Sequence, residues 1–389
     1  MLHASRMGSA LVCAAGLLAS VGLCVGADVA SKSDARSAQP PKQAKAAAAV
    51  AAKPVKKLTP ELEALRDRVR ATLAMQQKPL FSTQENSAAE IINCCLAFGC
   101  NSEVQLDGED GKPINGITCL CWNYPCAGRA MLGFDRKHIA ARVGYGYQQY
   151  PGEFLATLAL SRVPASYPVR VGRDTRTVAD LVEAEKLGCR AGDDLSLKLI
   201  GLAFYVDAPE WKNDLGETWS IERMIQEEMA QPVVTASEGG LNRLMGLSYA
   251  VSRRAKRGLP IEGQYQRAKK YTADFQEFAL QLQNANGSWG PYFLTARSAN
   301  GDPSSQLRAT GRILEWLASS LPESKLEDAR LVRAVEYVNG LLSSDRYQWG
   351  TPSLSTREIA SVGHALHALQ IYDGRVFQPA DVAVTVTKD

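Results

Sequence analysis

The chain has 389 residues, of which 46% are hydrophobic and 22% charged, with a formal net charge of +3. That length can bury a large core in one or two domains. The small positive excess is confined to the N-terminal region: once Arg6 and the seven Lys/Arg and two Asp between Asp28 and Lys57 are set aside, 36 basic residues face 39 acidic ones, and nothing in the remainder points to nucleic-acid binding.

In chain order, residues 1–27 read as an export signal. Arg6 precedes an apolar run from Ala10 to Val25, and Val25-Gly26-Ala27 offers a small-x-small cleavage site. The run is too short and glycine-rich for a membrane span, and Leu23 before Cys24 does not fit a lipoprotein signal. Residues 28–57 form an Ala/Lys/Pro-rich linker without aromatic residues, read as a solvated spacer or a tether to an anionic envelope. A helical domain is expected over 58–377, followed by a tail at 378–389. The destination is outside the cytoplasm, either secreted or in the periplasm and cell envelope, with no membrane span after cleavage.

Helical periodicity covers Pro60–Gln77, Ser87–Phe98, Gly146–Arg162, Val178–Leu187, Leu195–Val206, Ile221–Met229, Leu241–Arg257, Tyr265–Gln283, Ser305–Leu321, Asp328–Leu342 and Arg357–Tyr372. The one long stretch without it runs from Asn101 to Gly133, inside a cysteine-rich loop (94–133). Cys94, Cys95, Cys100, Cys119, Cys121 and Cys126 lie there, and Cys189 stands apart. In an exported chain such a cluster reads first as disulfides, of undetermined pairing. Zinc would favour paired C-x2-C spacing, which is missing. Cys189 is either a buried apolar residue or a seventh member.

Five helical segments carry a glycine before alternating large and small residues: Gly152-Glu-Phe-Leu-Ala, Gly201-Leu-Ala-Phe-Tyr, Gly246-Leu-Ser-Tyr-Ala, Gly311-Arg-Ile-Leu-Glu-Trp and Gly363-His-Ala-Leu-His-Ala. Glycine costs about 1 kcal/mol against alanine in a helix, so five at matching places need a reason. Close helix–helix approach supplies one. Between them, Gln283-Asn-Ala-Asn-Gly287-Ser-Trp289-Gly290 ends a long helical pattern. Trp349-Gly350, 60 residues on, looks like a degraded copy.

The spacing Gln283-x3-Gly287-x-Trp289 resembles the glutamine–tryptophan repeat of the terpenoid-cyclase and protein-prenyltransferase superfamily. The resemblance implies an all-α fold, an α/α toroid of five or six helical hairpins with inner and outer rings. There Gln283 would satisfy free N–H groups at the next helix start while Trp289 covers the junction. The strings Gly144-Tyr-Gly-Tyr-Gln-Gln-Tyr-Pro-Gly152 and Gly363-His-Ala-Leu-His-Ala-Leu also look like an uncharacterised family of exported bacterial toroid proteins, sometimes labelled GTPase-activating. No residue here supports that label. The superfamily's catalytic parts are not matched: Asp107-Gly-Glu-Asp110 reads as a polar turn, Arg308 and Thr310 stand where a zinc site would want Asp and Cys, and Cys189 lacks a thioester motif. Neither a metal nor another cofactor is expected.

In a toroid, polar residues at inner-helix starts would face a funnel. Ligand-binding candidates are therefore Tyr145, Tyr147, Asn242, Arg243, Arg308 and Arg312, with Trp289 as an aromatic wall. Glu153, His364 and His367 are candidate acid–base groups. Each has a plainer alternative: Glu153 as a favourable first-turn carboxylate, and the histidine pair as hydrogen-bonded packing. The expected function is a non-catalytic module binding a ligand, protein or other envelope component. A glycan hydrolase or lyase, or an enzyme processing an isoprenoid lipid, is the alternative.

Overall fold

The computed structural model describes residues 57–78, 81–106, 111–349 and 354–377. The export signal, all but the last linker residue, the Asp107–Asp110 turn, Gly350 and the tail at 378–389 lie outside the described residues. The described part is mostly helical. Its α-helices are α1 (Pro60–Gln77), α2 (Ala88–Phe98), α3 (Gly116–Cys121), α4 (Glu153–Leu160), α5 (Val178–Leu187), α6 (Ser196–Tyr205), α7 (Ile221–Ala230), α8 (Leu241–Lys256), α9 (Gly263–Gln281), α10 (Pro303–Ser320), α11 (Ala329–Leu342) and α12 (Thr356–Tyr372). Starts follow local chemistry. Thr59 and Asp302 cap α1 and α10 ahead of a first-turn proline, and Ser355 with Glu358 forms a capping box on α12.

The non-helical share is larger than periodicity implies. A three-stranded sheet joins Phe81–Ser82, Glu103–Gln105 and Pro113–Asn115, and three two-stranded hairpins follow at 132–141, 168–177 and 211–219. The described residues between 101 and 133 thus include strands and α3 rather than open loop alone. The segment Gly146–Tyr150 is not helical either. Gly152, at φ 79°, is the N-cap of α4, so its left-handed turn delays the helix to Glu153.

The expected disulfides are not found. All seven cysteines among the described residues are free thiols, and six of them are buried. Adjacent Cys94 and Cys95 point about 100° apart around α2, so the two cannot serve one bridging partner together. In place of bridges, Cys95, Cys119, Cys121 and Cys126 pack as small apolar side chains within the main core. Gly116 at the start of α3 leaves just the room that the Cys95 sulfur occupies: a Cβ there would lie 2.9 Å from it.

The marked glycines do sit at close helix contacts. A Cβ on Gly201 would lie 2.7 Å from Leu155 of α4, and one on Gly246 would lie 2.4 Å from the Ser196 carbonyl oxygen of α6. On Gly311 it would meet Ala365 of α12 at 2.9 Å, and on Gly363 it would meet Asn93 of α2 at 3.0 Å. Gly152 faces the Lys198 backbone of α6. Each of α2, α4, α6, α8 and α10 packs on the next even-numbered helix, and α12 packs on α2. Odd-numbered helices pack against these, among them α9 against α8 and α11 against α10.

The Gln283 motif works with a reversed hydrogen bond. Its Nε2 donates to the carbonyls of Gly287 (3.0 Å) and Arg330 (2.8 Å), rather than its oxygen accepting from a helix start. Gly287, at φ 89°, lets the Arg333 carbonyl of α11 come within 2.3 Å of where a Cβ would stand. Trp289 is fully buried, and its indole N–H donates to Ala279 O at 2.7 Å, covering the end of α9. It therefore belongs to the core, not to a cavity wall.

Candidate functional site

A cavity of about 540 Å³ opens among the even-numbered helices. Its lining divides by origin. α2, α4 and α6 contribute mainly aliphatic side chains (Ile92, Leu96, Ala156, Leu160, Leu197 and Ile200), with Met245 of α8 beside them. The polar groups come mostly from α8, α10 and α12: Asn242, Arg308, Arg312, Glu315, Arg357 and His364. The segment Gly144–Tyr150 and Glu238 complete the lining. First-turn residues of α4, α8 and α12 face this space, so the positive ends of three helix dipoles do as well.

The polar wall is a hydrogen-bonded chain. Glu315, almost wholly buried, accepts from His364 Nδ1 at 2.9 Å and from His367 Nδ1 at 2.7 Å. With its hydrogen on Nδ1, His364 presents Nε2 as an acceptor to Arg312 Nη1 at 2.8 Å. Arg312 also lies 3.6 Å from Glu315 and donates through Nη2 to Asn242 Oδ1. Burial works against a charged Glu315, but the two histidines outweigh it and hold the carboxyl well below its ordinary value. Burial and the Arg312 charge hold His364 below its ordinary value, so it is neutral. Within this chain of groups two buried donors, Arg312 Nε and Asn242 Nδ2, have no hydrogen-bond partner.

Three carboxylates face the cavity, and their environments differ. Glu153 Oε2 accepts from the backbone N–H of Gln149 and, at 3.3 Å, of Tyr150, yet burial leaves its pKa raised. For Glu238, burial is outweighed by the Arg308 fork and the charge of Arg312, and its pKa is lowered. Tyr150 joins the two, its N–H on Glu153 and its hydroxyl 3.4 Å from Glu238. Burial and the Glu238 charge push that phenol up to about 12. Glu238 has φ 52°, followed by Gly239 and Gly240, both also left-handed. A carboxylate held in this strained conformation is kept there by its surroundings, here by Arg308.

Of the residues expected from sequence, Glu153, Tyr145, Tyr147, Asn242, Arg308, Arg312 and His364 are brought together around the cavity. His367 stands behind them on Glu315. Arg243 is elsewhere: it is buried, paired with Glu228 at 2.9 Å, and donates to Pro232 O and Gln231. Being next to Asn242, it points about 100° away around α8. Glu238, Glu315 and Arg357 were not anticipated. Glu315 had a signal, since a lone carboxylate interrupts the apolar run Ile313-Leu-Glu315-Trp-Leu317 three residues after Arg312. Ser237-Glu-Gly-Gly240 likewise offered an acid beside two flexible residues. No protein-family model, curated protein or solved structure matches this chain.

Proposed function

We propose that this chain is an exported α/α toroid whose cavity binds an amphipathic anion without transforming it. The toroid reading is supported by the cycle of contacts among even-numbered helices and by the close glycine contacts at its junctions. The ligand class rests on one observation: Arg357, exposed in the first turn of α12 and on the cavity lining, has no side-chain partner among the described residues. The acceptors there, on Glu153, Glu238, Glu315 and His364, are already engaged. An unpaired guanidinium beside carboxylates that are already engaged asks for an acceptor-bearing ligand group. Its positive charge and the three helix starts favour a negative one. The aliphatic wall opposite takes an apolar tail.

The test is calorimetric titration of the mature protein with decyl phosphate and decanol. Decyl phosphate binds and decanol binds at least tenfold more weakly, a difference of about 1.4 kcal/mol. Arg357→Ala, at an exposed position, and Arg312→Gln each weaken the phosphate. Equal binding of both probes, or none of either, overturns the reading.

A second reading, hydrolysis of an acetal-linked glycan, is favoured by the opposite shifts of Glu153 and Glu238. A carboxyl with a raised pKa paired with one whose pKa is lowered is the arrangement used in glycoside hydrolysis. Against it, Glu238 is clamped by Arg308 and the wall beside Glu153 is aliphatic.

A further inference from the structure

We propose that the rim of the cavity docks on an anionic lipid bilayer, so that the amphipathic ligand passes between membrane and cavity without crossing water. The inference rests on the cavity reading above and adds the surface from which the ligand comes. Four exposed apolar side chains flank the cavity lining. Tyr145 is 86% exposed and Val143 51%, both on the loop that lines the cavity at Gly144–Tyr147. Tyr292 is 61% exposed, and its neighbour Phe293 packs against Gly239 with the Arg308 guanidinium 5.3 Å from its ring. Val234 is 39% exposed, and its neighbour Val233 packs against Gly240. The last two therefore border the Glu238 turn, which the tyrosine loop meets through the Tyr150 hydroxyl.

Cations accompany these side chains. Arg129 lies 6.0 Å from the Tyr145 ring and Arg142 5.7 Å from the Tyr147 ring, both on the exposed side of the loop, and Arg357 lines the cavity itself. The nearest acids are engaged: Glu153 by backbone N–H groups, Glu238 by Arg308, and Glu358 by Ser355 and Ser304. Amphipathic tyrosines interleaved with arginines suit the boundary between headgroups and acyl chains, where arginine meets lipid phosphates. The seven Lys/Arg against two Asp between Asp28 and Lys57 add charge of the matching sign. No helix among the described residues is long and apolar enough to cross a membrane, so attachment would be peripheral.

The experiment uses the full mature chain and the variant Val143→Ser/Val234→Ser/Tyr292→Ser, none of which lines the cavity. Co-sedimentation is measured with vesicles of equal phosphatidylglycerol and phosphatidylcholine, and with phosphatidylcholine alone. The wild-type chain binds the anionic vesicles, and the triple variant binds them about tenfold more weakly at an ionic strength that screens the N-terminal charges. Decyl phosphate titration in solution stays unchanged in the variant. As a second readout, Tyr292→Trp adds an exposed indole that brominated lipids quench; of the natural tryptophans, all but Trp122 are buried. Undiminished vesicle binding by the triple variant, or an unquenched Trp at position 292, overturns the docking proposal. Self-association that the variant abolishes, without vesicle binding, overturns it in favour of a second copy of the chain. Loss of decyl phosphate binding by the wild-type chain would sink the cavity reading instead.

Discussion

Replacing Gly246 by alanine sets two effects of known size against each other. Inside a helix the substitution gains about 1 kcal/mol of intrinsic propensity. On α8, however, the new methyl group would lie 2.4 Å from the Ser196 carbonyl oxygen and 3.2 Å from its carbon. That oxygen belongs to the backbone of α6, so no side-chain rotation relieves the clash, and the two helices must separate by most of an ångström. Overpacking of this kind costs about 1–3 kcal/mol, and a backbone obstacle places it at the upper end. The net expectation is a loss of about 2 kcal/mol, on the order of 4 °C in Tm for a domain of this size. Gly340→Ala is the internal control: on the exposed side of α11 its Cβ meets nothing within 4 Å, and stability rises by about 0.5–1 kcal/mol. Urea unfolding of both variants with unchanged m-values measures the difference. If Gly246→Ala matched or exceeded the stability of Gly340→Ala, α6 and α8 would not pack as described.

Arg162 ends α4 at φ 57°, in a turn where Val163 N–H bonds back to Leu158 O, and its side chain has no partner among the described residues. Arg162→Gly should therefore raise stability by about 1 kcal/mol in the same urea assay; a decrease would reveal a role for the guanidinium. His364 is held below its ordinary pKa in the folded chain, so below pH 6.5 the unfolded chain takes up a proton that the folded one resists, and stability falls on acidification. His364→Asn should flatten the stability profile between pH 7 and 5. Glu153 acts in the opposite sense: with its folded pKa raised, it gives up stability as pH rises through that value, so Glu153→Gln stabilises the chain at pH 8 more than at pH 4. Among the described residues only Cys100 is exposed; burial raises its thiol too, but pushes Cys94 and Cys189 up to about 12. A thiol reagent at pH 8 should accordingly modify one sulfhydryl of the native reduced chain before any other, and all seven of the mature chain in denaturant.

How far sequence reading carries depends on the range of the forces involved. Helix identity is local: periodicity placed α1 and α5 to the residue, because capping groups and apolar spacing lie within the segments themselves. The glycines were legible for a related reason, since a residue that costs helix propensity must be compensated by a neighbour, and Leu155, Ser196, Ala365 and Asn93 are those neighbours. The hairpins went unseen because strands of two to four residues carry too little alternation. Arg243 was misjudged because its partner, Glu228, lies on another helix and no pattern along α8 announces it. Glu315 was overlooked because its value comes from three residues on two helices, Arg312, His364 and His367.

The joining of α2 to α12 has a consequence for how the chain is made. Asn93 lies against Gly363, Glu90 accepts a hydrogen bond from Thr356, and Gln76 is bonded to Leu342, Tyr347 and Trp349, all partners synthesised some 270 residues later. Contacts of such sequence separation form slowly and late. The early helices therefore emerge from the ribosome with their apolar faces unmatched until the final fifth of the polypeptide arrives, and a ribosome stalled before α12 would release a fragment with α2 bare and prone to aggregate.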